Sequence, residues 1–452
     1  MSNFIVADRK TDYLLPPSVD DWLNEGHLAR FIVEVVDQLD LSNLTRQYAG
    51  RGSKAHHPAL LLAILVYGYA TGVFSSRKLE RATYDSVAFR YIAAGTHPDH
   101  DTLATFRRRF LDELADLFVQ VLELAKEMKL LKLGSVCLDG TKIHANASRH
   151  SALSHGHIEK LEVQLKAEVQ ELLSLAEQAD QVDVPDGVSL PEEIKRREDR
   201  LAAMAAAKAK IAARAKERYQ REKAEYDEKV ARRAAKEKDS GKKPGGKPPT
   251  APGAGPKDGD QINLTDEESR IMPVTGGGFE QAYNAQAAVD ATTMLVVATG
   301  VTQAPNDKEQ VEPMLAILKA QAKTLGIVDC LIADTGFSSE KNIKACEAAH
   351  VESLIAVAKE AHYPNWRERH SEPAALPDDA TPMQTMVHRL KTKTGRARYA
   401  LRKQTVEPVF GIIKSVMGFR QFSLRGLQKV TGEWTLVCLA WNLKRMAVLR
   451  LP

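Results

Sequence analysis

The chain has 452 residues, too many for one compact domain, so two to four units are expected. Its composition, 44% hydrophobic, 27% charged and only 6% aromatic with a net charge of +4, favours helix-rich parts and one long solvated segment. Four scattered cysteines with no C-x-x-C pair argue against a disulfide framework or a cysteine zinc site, and the longest apolar run, Ala59–Val66, is far short of the ~20 residues that span a bilayer.

Residues 20–125 read as successive amphipathic helices, with Phe31, Val35 and Leu39 at helical spacing. Pro58 suits the first turn of a helix running through Tyr69, and Ser76 is a cap candidate for the next. After HPDHD a helix carries Arg107, Arg108 and Arg109. The run GSVCLDGTKIHA at 134–145 then alternates apolar and polar residues as a strand does.

A charged, Ala-rich insert interrupts the pattern. Ile158, Leu161, Leu165, Leu172 and Leu175, then Leu201, Met204 and Ile211, predict a helical hairpin over 151–238. The Gly/Pro/Lys tract at 239–260 cannot support a core, and disorder is expected there. Beyond it come strands over 279–304 turning at Asp290–Thr293, a helix at 311–325 and a strand at 327–333. A helix at 340–349, a strand at 352–358 and a helix at 399–418 complete the series. That order fits an α/β ribonuclease-H-like core, a mixed five-stranded sheet flanked by helices. The expected domains are an all-α N-terminal DNA-binding domain (1–125), a catalytic core (130–150 and 261–450), the inserted hairpin and the linker.

Three acids stand out by position: Asp139 in the first strand, Asp334 at the end of the fourth, and Glu407 on a basic helix. The first and fourth strands are neighbours in such a sheet, so both aspartates reach one edge. Hard carboxylate oxygens suit Mg²⁺ and phosphoryl transfer. Between Arg389 and Lys429 stand eleven Lys/Arg residues, Arg420 and Arg425 among them, and a single acid, Glu407. A solvated helix normally mixes signs, so this run predicts a phosphate-binding surface. His144, His150, His155 and His157 lack a completed metal-ligand spacing, and surface or cap roles are expected. Trp434 and Trp441 are expected in the core.

In order along the chain, LDGTKIHANAS, ADTGFSSEKN and RKQTVEPVFGIIKSVMGFRQFSLRG resemble the motifs of bacterial insertion-sequence transposases with a DDE catalytic domain. HPALLLAILVYGYATGVFSSRKLE and PDHDTLATFRRRF resemble their helical N-terminal domain. The Y-x2-R-x3-E-x6-K signature falls on Tyr399, Arg402, Glu407 and Lys414, with one residue more between Arg402 and Glu407. The resemblance implies Asp139, Asp334 and Glu407 as catalytic metal ligands holding two Mg²⁺, with Mn²⁺ able to substitute. It implies phosphate contacts from Tyr399, Arg402, Lys414, Arg420, Arg425 and Arg107–Arg109, and places Asn284 and Gln286 near the site. The expected function is binding of element ends, metal-dependent DNA cleavage and strand transfer on double-stranded DNA. A homodimer or higher oligomer acting in the cytoplasm at the nucleoid, without membrane contact, is implied as well. The alternatives are a ribonuclease-H-like nuclease or a catalytically inactive DNA-binding derivative.

Overall fold

In the computed structural model, residues 18–48, 55–177, 189–241, 245–274, 276–357, 371–377 and 379–450 are described. Helices come first. In α1 (Leu28–Val36), Ala29, Ile32, Val35 and Val36 turn inward, and the His27 side chain caps the helix by accepting from the Ala29 amide. After α2 (Ser42–Thr45), α3 (Pro58–Thr71) is apolar on every face and buried along most of its length. Pro58 opens it as expected, and Gly72 closes it at a φ of 85° that an L side chain would resist. The chain continues through α4 (Ser76–Asp85), α5 (Val87–Ile92), α6 (His100–Arg109) and α7 (Glu113–Glu127). The cap position of α4 falls to Ser75 rather than Ser76, with no side-chain cap bond.

Strand β1 (Ser135–His144) starts the sheet, after which residues 145–282 form a separate compact unit. In it β2 (Ala152–Ser154) pairs antiparallel with β3 (Gln261–Asn263). Between them α8 (His155–Glu177) and α9 (Leu190–Ser240) make the expected hairpin around Ile158, Leu165, Met204 and Ile211. Ion pairs Glu168–Arg197 and Glu162–Lys208 run in opposite chain directions, so the helices are antiparallel. The tract expected to be disordered differs from that reading: residues 245–260 form neither helix nor strand, but they are tied down. Arg218 pairs with Asp260 and donates to the Gly255 carbonyl at 3.3 Å, and the Gly156 amide donates to the Asp258 carbonyl at 3.2 Å. Arg218 on α9, with Arg233 donating to the Gly245 and Gly246 carbonyls at 3.3 and 3.2 Å, thus helps to order a segment whose composition offers no core. Strand β4 (Arg270–Pro273) pairs with the first residues of β5 (Phe279–Asp290).

The first unit resumes at Tyr283. Asp290 turns β5 into β6 (Val296–Thr302) by accepting from the Thr292 and Thr293 amides at 3.2 and 2.8 Å. Then come α10 (Val311–Leu325), β7 (Cys330–Ala333), α11 (Glu340–Ala348), β8 (Glu352–Ile355), α12 (Pro382–Lys391) and α13 (Lys393–Gly411). A π turn at Ile412–Val416 and α14 (Leu427–Leu449) end the unit. The sheet runs β6, β5, β1, β7, β8, with β6 antiparallel to β5 and β7 and β8 parallel to β1. This is the expected mixed sheet with helices, and β4 adds a sixth strand beside the start of β5.

The expected boundary at 125 is not a break in packing. Residues up to His144 and from Tyr283 onward form one unit, because α14 is buried from Gly432 to Leu443 and packs on β6, α3 and α7 together. Trp434 and Trp441 lie in that core and donate to the Gln286 and Met294 carbonyls, each at 2.9 Å. Among the described residues no single helix is long and apolar enough to cross a membrane.

Candidate active site

Register sets the two aspartates. In the parallel pair β1–β7, Leu138 lies opposite Ala333, so the next residues, Asp139 and Asp334, emerge side by side. Each carboxylate is fixed locally: Asp139 Oδ1 accepts from the Gly140 amide and Asp334 Oδ1 from the Gly336 amide, both at 2.8 Å. Glu407 comes from α13, which packs on β1. Its link to the aspartates is Arg402, whose Nη1 lies 3.0 Å from Asp139 Oδ2 and whose Nη2 lies 3.0 Å from Glu407 Oε1. The one-residue departure from the signature therefore leaves Arg402 and Glu407 within contact, because the long guanidinium stem spans the extra residue. Burial pushes the Asp139 carboxyl up to about 6; Arg402 opposes this, while the charges of Asp334 and Asp307 add to it. With a guanidinium between Asp139 and Glu407, no three acids, histidines or cysteines among the described residues gather on one point.

Cations surround this cluster. The end of β1 zips to residues 420–422, His144 donating to the Arg420 carbonyl at 3.0 Å and accepting from the Phe422 amide at 2.8 Å. That pairing brings Lys142, Lys414 and Arg420 together. Lys414 sits in the π turn, a feature common at functional sites. Burial lowers the Lys142 ammonium against the raising charges of Asp307 and Asp139. Burial also lowers Lys414, helped by the like charges of Lys142 and Arg420. Tyr399 is half-buried on α13 near Arg402, and Arg425 is exposed. The basic run is less open than its composition suggests: Arg389 donates to the Ser353 carbonyl, and Arg398 pairs with Glu352.

The three arginines of α6 do not act alike. Arg107 is 9% exposed and donates to the Tyr69 hydroxyl at 3.1 Å and the Phe74 carbonyl at 3.0 Å. Its expected role as a DNA contact is corrected to an interior one, because it shares the buried face with Leu103, Phe106 and Phe110. Arg108 and Arg109 are exposed, and Arg109 also donates to the Gln47 carbonyl at 2.6 Å.

Asn284 and Gln286 are buried on β5, and their amides donate to Asp307 Oδ1 at 2.7 and 2.6 Å. Asp307 and Lys142 are the charged residues at this site that sequence reasoning did not single out. Lys142 lies inside the DGTK motif, three residues after Asp139, whereas Asp307 is a loop acid with no pattern to mark it.

Two matches to known families follow this geometry. Residues 17–109 match the family described as Transposase domain (DUF772), and residues 255–443 match the Transposase DDE domain. The second match includes Asp334 and Glu407 but begins after Asp139, whose membership of the site rests on register. No curated protein and no solved structure matches the chain.

Proposed function

With a transposase domain followed by a transposase DDE domain, the chain belongs to the insertion-sequence transposases, and we propose that it binds the ends of its own element and cuts and joins DNA through Asp139, Asp334 and Glu407. The observation that carries this reading is the register of β1 against β7, which supports two aspartates at one sheet edge, with Glu407 joined to Asp139 through Arg402.

The donor set fits divalent cations. Asp139 is raised above the usual carboxylate range by burial and by its acidic neighbours, a clustering of like charge that a cation relieves. Asp139, Asp334 and Glu407 would hold two Mg²⁺, with Mn²⁺ as a substitute. Such ions supply charge that lowers the pKa of the attacking water or 3′-hydroxyl and steadies the leaving oxygen.

The chain's own side chains do the remaining work. Gly140 and Gly336 amides fix one oxygen of each aspartate. Arg402 leaves Glu407 for a DNA phosphate, a charge-assisted bond that frees the Glu407 carboxylate. Lys142, Lys414 and Arg420, with Tyr399 and Arg425 nearby, hold backbone phosphates. Arg108 and Arg109 on α6 contact the terminal DNA. The partners are double-stranded terminal and target DNA, engaged by a homodimer or higher oligomer at the nucleoid.

A strand-transfer assay with duplexes carrying the DNA that borders the gene tests the reading. Cut and joined products in Mg²⁺ support it. Cutting without joining indicates a nuclease, and binding without cutting indicates an inactive derivative.

A further inference from the structure

The site contains a fourth carboxylate, and its surroundings are built around it. Asp307 lies in the loop between β6 and α10, far in sequence from the other acids. Asn284 Nδ2 and Gln286 Nε2 both donate to its Oδ1, at 2.7 and 2.6 Å, and the Asn284 amide also donates to the Ala304 carbonyl. Two buried amides converging on one oxygen fix the carboxylate's direction, as outer-shell donors do at metal sites.

Two glycines show where that carboxylate points. A Cβ on Gly140, the residue after Asp139, would lie 2.4 Å from Asp307 Oδ1 and 2.8 Å from Asn284 Oδ1. A Cβ on Gly336, two residues after Asp334, would lie 2.9 Å from Asp334 Oδ1 and 3.6 Å from Asp307 Oδ2. Asp307 therefore reaches from the Asp139 turn to the Asp334 turn, and at Gly140 only hydrogen leaves it room. An independent sign comes from the amides. Asn284 is fully buried and Gln286 is 1% exposed, yet Asn284 Oδ1 and Gln286 Oε1 have no hydrogen-bond partner. A buried amide oxygen left without a donor is costly and marks a place for a hydrogen-bond donor or a cation.

We propose that Asp307 is a fourth carboxylate of the catalytic cation site, with Asn284 and Gln286 as its positioning residues. It rests on the reading of Asp139 and Asp334 as cation ligands. Asp307 Oδ1 is committed to the two amides, so Oδ2, which lies beside Gly336, is the ligating oxygen. Asp139 and Asp334 are each held by a turn amide and Asp307 by two side-chain amides, whereas Glu407 is held by Arg402.

The test is Mn²⁺ titration calorimetry of the full chain without DNA, comparing wild type, Asp139→Asn and Asp307→Asn, with metal-free melting curves beside it. Asp307→Asn keeps an oxygen for both amides, so the metal-free melt should stay near wild type while Mn²⁺ binding weakens about tenfold or more. Weakening in Asp139→Asn but not in Asp307→Asn overturns the proposal and leaves the parent reading intact. Weakening in neither variant overturns both. A lowered metal-free melt with unchanged Mn²⁺ affinity makes Asp307 a loop-packing residue and likewise overturns it. Should Asp307→Asn fail to fold, Asn284→Ala removes one positioning amide; weaker Mn²⁺ binding supports the proposal and unchanged binding overturns it.

Discussion

Replacing Arg107 with Ala should unfold the protein more readily rather than detach it from DNA. The guanidinium donates to Tyr69 Oη and the Phe74 carbonyl, and Tyr69 in turn donates to Glu433 at 2.9 Å. Glu433 is fully buried and also accepts from the Ser423 and Leu424 amides at 3.0 Å. Losing two hydrogen bonds to a buried charge, each worth about 1.5–3 kcal/mol, predicts a destabilisation of roughly 3–6 kcal/mol. Arg107→Met keeps the apolar stem and should cost less. The deficit should also depend on pH. Burial raises the Glu433 carboxyl, and Arg107 is among the groups that hold it down, so the variant raises it further. A folded-state carboxyl raised above its unfolded value loses stability as pH rises through that window. The deficit against wild type should therefore grow as pH rises above the unfolded carboxylate range and shrink as pH falls back towards it. Urea denaturation at several pH values, with terminal-DNA binding measured on the folded variant, reads both effects. A variant as stable as wild type that fails to bind DNA would return Arg107 to the DNA surface and refute this reasoning.

Three further outcomes follow from the same structure. Arg108→Ala with Arg109→Ala should leave the fold intact, weaken binding to terminal DNA and flatten its salt dependence by about two counterions, read by titration across salt concentrations. Lys142→Met and Lys414→Met should each weaken binding to terminal DNA, because each removes a half-buried cation beside Asp139; binding equal to wild type would remove that lysine from the phosphate set. Trp434→Ala, which empties a fully buried site and removes the indole donor to the Gln286 carbonyl, should cost about 3–5 kcal/mol in denaturant unfolding.

Much of the fold was legible because its signals are local. The helix at Val311–Leu325 matches its apolar pattern to the residue, and the Asp290 turn is the side-chain capping its sequence suggests. That Asp139 and Asp334 share one sheet edge was legible because strand order alone makes their strands neighbours. Arg107 was misread as one of a run, although helical phase was available: four residues after Leu103 and three before Phe110, it falls on the apolar face. The order in 245–260 was hidden because it depends on distant residues, Arg218, Arg233 and the Gly156 amide, rather than on the tract's own composition. Asp307 left no trace, since a lone loop acid has neither periodicity nor spacing, and only the fold brings it to Gly140 and Gly336.

The central claim is that DNA is cut and joined by acids gathered at one sheet edge. Its most direct test is single-turnover cleavage in Mg²⁺ of a duplex carrying the DNA that borders the gene, by wild type and by Asp139→Asn, with binding measured on the same duplex. The account predicts that Asp139→Asn binds close to wild type while cleavage falls to background, because the change removes a cation ligand and no phosphate contact. Cleavage by Asp139→Asn at the wild-type rate would contradict it.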